Sequence, residues 1–423
     1  MCAHREWEKG LALRVALSTL LLLWGCGPER SSTNSDDAST TGFSQSDSAG
    51  ILISVTTGEQ AFSPVGWAID TLPEFVLGTG SDPDEQFYRI AGVQGLPDKN
   101  LLVVNGGSQE LRFFDSEGRL IQAAGGKAEG PGEFLEPALV RGVEADSLPI
   151  WDTGLRRLQL FSQDGLGSRT VPLTAWPRRA GGKPPVGTLR GRLLIQRLRV
   201  MTPSMFRTPG PSVDSVSFVW LDPGTGDTIH IFSRTFPFYF ADPPNFYIIG
   251  LSIRPSAAVV EGGALITDGR VPEIWKYGLD GRPLQVFRVD TPDRRVSEED
   301  LRTFVAAQVS PEHFEEFLSV NRAMPIPDFL TWFDELQVDE LGWVWAGIYD
   351  PGRSRPKEWV VFDKDGRAHG KMSTPVGLDV QWIGRDRILG VWTDDLGVEY
   401  VYAYGLTRDL GLAEISTGTD GNG

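Results

Sequence analysis

Part of this chain repeats itself at a fixed interval. Leu101, Val103, Val104 and Asn105 recur 47 residues later as Leu148, Ile150, Trp151 and Asp152, and Leu111, Phe113, Phe114 and Gly118 recur at the same offset as Leu158, Leu160, Phe161 and Gly165. One offset held over so many positions marks a structural repeat rather than two similar apolar patches. Each copy reads as a short apolar strand, a polar turn, a second strand ending in an aromatic residue, and a tight turn closed by Gly. A period in the forties built of strands and turns is that of propeller blades, since helical repeats of similar length would carry a 3.6-residue periodicity. A further copy lies 116 residues beyond the second, where Ile266, Asp268, Ile274, Tyr277, Asp280 and Gly281 match Ile150, Asp152, Leu158, Phe161, Asp164 and Gly165. The 49 Gly and 29 Pro fit many short strands joined by tight turns better than a doubly wound fold.

The expected fold is therefore all-β: a six-bladed β-propeller over residues 51–412, with a small helical insertion (297–322) between blades 4 and 5. Ile51–Val55, Trp67–Ile69 and Phe75–Gly78 precede the first full repeat. They are expected to complete the last blade and close the ring, which removes exposed sheet edges. Blade 3 is stretched by a Pro-rich excursion from Thr202 to Pro211, and an aromatic loop follows through Phe236–Phe240 and Phe246–Ile248. In the insertion, Ser297 caps an acidic first turn, and Leu301, Phe304 and Val305 follow at helical spacing. Pro311 opens a second helix with Phe314, Phe317 and Leu318 on one stripe.

Gly130-Pro131-Gly132-Glu133-Phe134 precedes an inner strand, with Phe87 at the matching place one repeat earlier. Together with the strand, Asp/Asn and Gly-turn pattern that follows, it resembles the NHL-like six-bladed β-propellers. The segment Pro325–Leu330 further resembles exported bacterial members of that class. The same Gly-rich loop is no phosphate cradle, because no Gly-Lys-Ser/Thr stands at the required spacing and no helix follows.

Residues 1–25 read as a lipoprotein-type signal peptide. The apolar run Leu11–Trp24 is too short to span a bilayer, and Leu23-Trp24-Gly25-Cys26 resembles a lipobox with Trp24 in place of the usual small residue. Of the 2 Cys, Cys2 would leave with the signal, so Cys26 is the expected lipidation site and no internal disulfide can form. Residues 26–50 are expected to be a disordered tether and 413–423 a disordered tail. The expected location is extracytoplasmic, anchored through the lipid to a bacterial membrane, either at the outer membrane or on the periplasmic face. A monomer is expected. A formal net charge of −16 argues against a nucleic-acid partner.

Catalytic constellations are scarce. His230, His313 and His369 fall in separate regions, unlike the histidines that hold zinc in propeller lyases. No Gly-x-Ser-x-Gly elbow occurs. Asn105, Asp152 and Asp268 stand where a strand meets a turn, which favours capping of backbone amides over metal ligation. No catalytic or metal-binding residue is assigned, and no cofactor beyond the channel calcium that resemblance to six-bladed lactonases would imply. Candidate ligand-binding residues are Arg89, Arg141 and Arg254 near inner-strand starts, and Tyr239, Phe246 and Tyr247 in the aromatic segment. The expected function is a binding or scaffold module for a protein or small-molecule ligand. The alternative is a channel-centred enzyme, a calcium-dependent lactonase or lyase-like hydrolase.

Overall fold

The computed structural model describes residues 42–409, apart from 81–84, 143–146, 175, 177–182, 199–207, 244, 253–254 and 353–355. Strands dominate it, and they group into six sheets. Sheet I holds Ile90–Gly95, Leu101–Asn105, Glu110–Phe114 and Leu120–Gly125, and sheet II holds Pro137–Leu139, Leu148–Asp152, Arg157–Phe161 and Ser168–Val171. These are the two copies of the repeat. Both are antiparallel meanders whose second strand is buried throughout, Leu101–Asn105 and Leu148–Asp152 alike. Burial on both faces explains why those strands read as continuous apolar runs rather than alternating ones.

Sheet III is the longest, running from Gly187–Leu189 through Arg192–Leu198 to Gly210–Leu221, Thr228–Asp242 and Asn245–Ile248, with Arg141–Gly142 added in parallel on its inner edge. Sheet IV comprises Ser256–Val260, Gly263–Thr267, Glu273–Tyr277 and Pro283–Asp290. Sheet V comprises Phe333–Val338, Val344–Ile348, Glu358–Phe362 and Ala368–Ser373. In sheet VI, Asp379–Ile383, Arg387–Thr393 and Glu399–Thr407 are joined by Phe75–Leu77 and Ala68–Ile69, which come from the other end of the described chain.

Six apolar clusters glue these sheets pairwise. Leu102 and Val104 meet Phe134 and Ile150 between I and II. Trp151 meets Leu193 and Val219 between II and III, and Trp220 meets Val259 and Ile266 between III and IV. Phe287 meets Phe333 and Phe362 between IV and V, and Trp345 and Trp359 meet Val380 and Ile388 between V and VI. The sixth returns to the start, setting Leu389 and Val401 of VI against Val93 and Val103 of I. Each sheet thus packs on two others, which is the propeller type of architecture. Each large side chain so buried is worth about 1.5–3 kcal/mol relative to exposure.

The amino-terminal strands depart from expectation. Phe75–Leu77 and Ala68–Ile69 do complete sheet VI, but Ile51–Thr57 lies parallel to Pro283–Asp290 in sheet IV, with Phe43–Ser48 beyond it. The strand Phe43–Ser48 also falls inside the segment expected to be tether. Its residues are polar because pairing on an outer edge needs backbone hydrogen bonds, not a buried face. Gln45 donates to the Asp365 carbonyl at 2.9 Å, and Arg367 lies over the Phe43 ring at 5.6 Å.

The aromatic loop is likewise not a loop. Its residues lie on Thr228–Asp242 and Asn245–Ile248, where Tyr239 pairs with Ile248 and Phe240 with Tyr247. Rows of aromatics suit cross-strand contact, and Tyr239 stacks on Phe246 with ring centroids 4.9 Å apart.

Helices are few: α1 Gly58–Phe62, α2 Glu298–Ala306 and α3 Phe314–Arg322. α2 begins in a capping box, with the Asp300 amide donating to Ser297 Oγ at 3.2 Å and the Ser297 amide to Asp300 Oδ2 at 2.8 Å. Leu301, Val305 and Leu318 of the α2–α3 pair bury against Leu251 and Leu330. Leu251 directly follows the aromatic strands, so the two stretches that break the repeat pack on each other. Among the described residues no helix is long and apolar enough to cross a membrane.

Candidate functional site

In a meander the first strand begins at the same end as the turn joining the second and third strands. That end carries an open cleft of about 520 Å³ lined by Arg89, Ile90, Gly106, Glu136, Pro137, Thr153 and Lys183, among others. Its size falls in the range of small-molecule sites.

The repeat builds this cleft. Asn105 Oδ1 accepts the Tyr88 amide at 3.1 Å. Asp152, fully buried, accepts the amides of Leu135 and Glu136 at 3.0 and 3.1 Å and those of Gly154 and Leu155 at 3.0 and 3.1 Å. These residues are caps, as their position predicted, and they fix the backbone just ahead of each inner strand. The following turn adds a second clamp: the Gly106 amide donates to the Arg89 carbonyl at 3.0 Å, and the Thr153 amide to the Glu136 carbonyl at 2.9 Å. Arg89 is held at φ 58°, a left-handed conformation that a non-glycine residue keeps only when its surroundings impose it. Gly106 permits this close approach, because a Cβ there would lie 2.5 Å from the Arg89 carbonyl oxygen.

The clamps hold two charged side chains, Arg89 and Glu136, and a third, Lys183, stands a further 47 residues along the chain, ahead of Gly187–Leu189 in sheet III. Arg89 Nη2 lies 3.3 Å from Glu136 Oε1, with the two side chains 60% and 52% exposed. An ion pair so open to water is worth at most about 1 kcal/mol and opens readily. Lys183 makes no ion pair with another described residue.

A second polar group lies where the first strands of the sheets face one another. Arg141 Nη1 donates to Gln337 Oε1 at 3.0 Å and its Nη2 to the Gln381 carbonyl at 2.6 Å, so one side chain ties the edge of sheet III to sheets V and VI. Gln337 donates in turn to Glu335 Oε1 at 2.7 Å, and Gln381 to Asp379 Oδ2 at 2.8 Å. Arg141 and Asp379 are exposed at the edges of their sheets. Enclosure lowers the proton affinity of Arg141, against the pull of Glu335 and Asp379. It raises that of Glu335, against the opposing charge of Lys357, and that of Asp379, against its hydrogen bond from Gln381 and the charge of Arg141.

A calcium ion does not fit this group. Among the described residues no three His, Cys, Asp or Glu side chains cluster closely enough to hold a metal, and the Arg141 guanidinium already supplies the cation between the Gln337 side-chain oxygen and the Gln381 backbone carbonyl.

Of the residues singled out in the sequence, Arg89 lines the cleft and Arg141 the central space. They do not share a site. Tyr239, Phe246 and Tyr247 lie on the aromatic strands of sheet III, partly buried and outside both. Arg254 and Cys26 lie outside the described residues. Sequence reasoning missed Glu136, Lys183, Glu335 and Asp379. The first two had a signal, the same 47-residue offset counted from Arg89; the last two had none, because their sheets carry no clear copy of the offset.

No family model matches the chain, and neither does any curated protein. Among solved structures, the chain is similar to a member of the DUF4221 family from Bacteroides vulgatus, with 11% identity over 81% of this chain and 99% of that one and a TM-score of 0.46. It is also similar to virginiamycin B lyase from Staphylococcus aureus, with 10% identity over 81% and 99% and a TM-score of 0.38. A third is the calcium-binding protein regucalcin from Agrobacterium tumefaciens, with 12% identity over 76% and 92% and a TM-score of 0.31.

Proposed function

We propose that this chain is an exported six-bladed β-propeller, lipid-anchored through Cys26, that acts as a binding module for a small molecule seated in the cleft at Arg89, Glu136 and Lys183. The six sheets are its blades, and α2 and α3 decorate the link between blades 4 and 5. One observation carries the binding reading: Arg89 and Glu136, held by the recurring caps, line one cleft together with Lys183, so both signs of charge meet there. Where the fold needs uniformity the repeat is uniform, and its chemistry varies at the cleft. The experiment is a thermal-shift screen of the full chain in detergent against a library of polar metabolites, repeated with the Arg89→Gln/Lys183→Gln double variant. Binding at the cleft predicts hits that the double variant loses while its own melting temperature stays within a degree or two. Hits that survive in the double variant would move the site elsewhere. For the anchor, Cys26→Ser is expected to release the protein from membranes, and continued membrane association would refute lipidation.

A second reading, a channel-centred hydrolase or lyase, is supported by Glu335 and Asp379, two enclosed carboxyl groups with raised proton affinity, the condition in which a carboxyl group can serve as an acid near neutral pH. Turnover of an ester or lactone that Glu335→Gln abolishes would favour it over binding.

A further inference from the structure

We infer that the cleft selects small carboxylates bearing a hydrogen-bond donor beside the carboxylate, that is, amino acids and hydroxy acids; this rests on the binding reading above. The cleft is lined by two cations and one anion, Arg89, Lys183 and Glu136, with Arg89 touching Glu136 at 3.3 Å. A guanidinium and an ammonium in one cleft suit a carboxylate, the first through its paired N–H groups and the second as a point charge. Glu136 carries only acceptors, so next to that carboxylate it requires a donor, an ammonium or a hydroxyl.

Apart from Gly106 and the Thr153 hydroxyl, the remaining lining is Ile90, Ala91, Pro137, Ala138 and Pro184, which suits a small apolar side group. Two cations against one carboxylate leave the cleft positive on a chain whose net charge is −16, so it is a local attractor for anions on an otherwise repelling surface. The Arg89–Glu136 pair is the resting state of the site. Being more than half exposed, it gives way to a ligand whose carboxylate takes Arg89 and whose donor takes Glu136.

The test is isothermal titration calorimetry of the full chain in detergent with L-valine and L-lactate, alongside isobutylamine, which lacks the carboxylate, and isobutyrate, which lacks the donor. L-valine and L-lactate are expected to bind. Loss of one hydrogen bond to a charged group is expected to weaken isobutyrate about tenfold or more, and isobutylamine further still. Arg89→Gln and Lys183→Gln are each expected to weaken both ligands about tenfold. Glu136→Gln should weaken L-valine by a similar factor and L-lactate much less, because an amide oxygen still accepts from a hydroxyl but no longer offsets an ammonium charge.

Isobutylamine binding as well as L-valine would overturn the inference, as would equal losses of L-valine and L-lactate in Glu136→Gln. So would the absence of heat with all four compounds. If other molecules then bind in a manner that Arg89→Gln abolishes, the binding module stands and only its ligand class falls. Retained circular dichroism and melting of each variant exclude misfolding as the cause of a loss.

Discussion

Two positions of the same repeat behave in opposite ways. At the end of the second strand Asn105, Asp152 and Asp268 keep a short oxygen-bearing side chain, and in the two meanders that match most closely it accepts backbone amides from the start of the inner strand. Just ahead of the inner strand, Arg89, Glu136 and Lys183 differ in charge from one sheet to the next. At Asn105 and Asp152 the first position is buried and bonded to backbone amides, whose geometry is the same in both sheets. The second faces an open cleft, where nothing in the fold prescribes the side chain. Recurrence therefore points to structural work, and function is to be sought where the spacing persists but the chemistry changes.

That contrast can be broken by mutation, and the scaffold should suffer most. Arg408 forms a fully buried pair with Asp339 at 2.7 Å and also donates to the Gly384 carbonyl at 2.6 Å. Arg408→Ala strands that carboxylate and is expected to cost about 3–5 kcal/mol in urea unfolding. Next comes Asp152→Ala, which leaves four amides without their acceptor. A loss of about 2–3 kcal/mol is expected, with Glu136 no longer held at the cleft. A cost below about 0.5 kcal/mol would show the cap to be dispensable and end the distinction between the two positions.

The helix cap offers a milder case, since Ser297→Ala should lower stability by about 1 kcal/mol, read as faster amide exchange confined to α2. At the variable position, Arg89→Gln should change stability by less than about 0.5 kcal/mol, because its ion pair is exposed. A larger loss would make Arg89 part of the scaffold.

The central group gives a pH-dependent test whose direction follows from burial. Glu335 and Asp379 bind protons more tightly when folded than when unfolded. In the window between the ordinary carboxylate range and their raised values the folded state holds the extra protons, so their contribution to stability falls as pH rises. Glu335→Gln and Asp379→Asn remove that penalty. The melting temperature of each variant relative to the parent should therefore rise with pH and level off above the window. A constant or falling difference would mean that the carboxylates are not strained by enclosure.

The repeating sheets were legible because their pattern is local. Leu101–Asn105 and Leu148–Asp152 are buried on both faces, so their sequences are plainly apolar, and the Gly118 and Gly165 turns need positive φ, 84° and 70°, which glycine alone takes freely. The strand Phe43–Ser48 left no such trace, since an outer edge strand satisfies its backbone without burying side chains. The aromatic strands misled for the opposite reason: their rings are crowded as in a loop that binds something, yet they pack against one another across strands.

By itself, then, the sequence determined the period, the buried strands, the caps and the turns, because each depends on residues a few positions apart and on the alternation or burial of their side chains. Only the tertiary structure decided which strand sits beside which, sending Ile51–Thr57 to sheet IV and Phe75–Leu77 to sheet VI. It also brought Arg141 within reach of Gln337 and Gln381, residues about 200 positions away. Such meetings depend on how the sheets pack around the whole assembly, and no spacing along the chain encodes that.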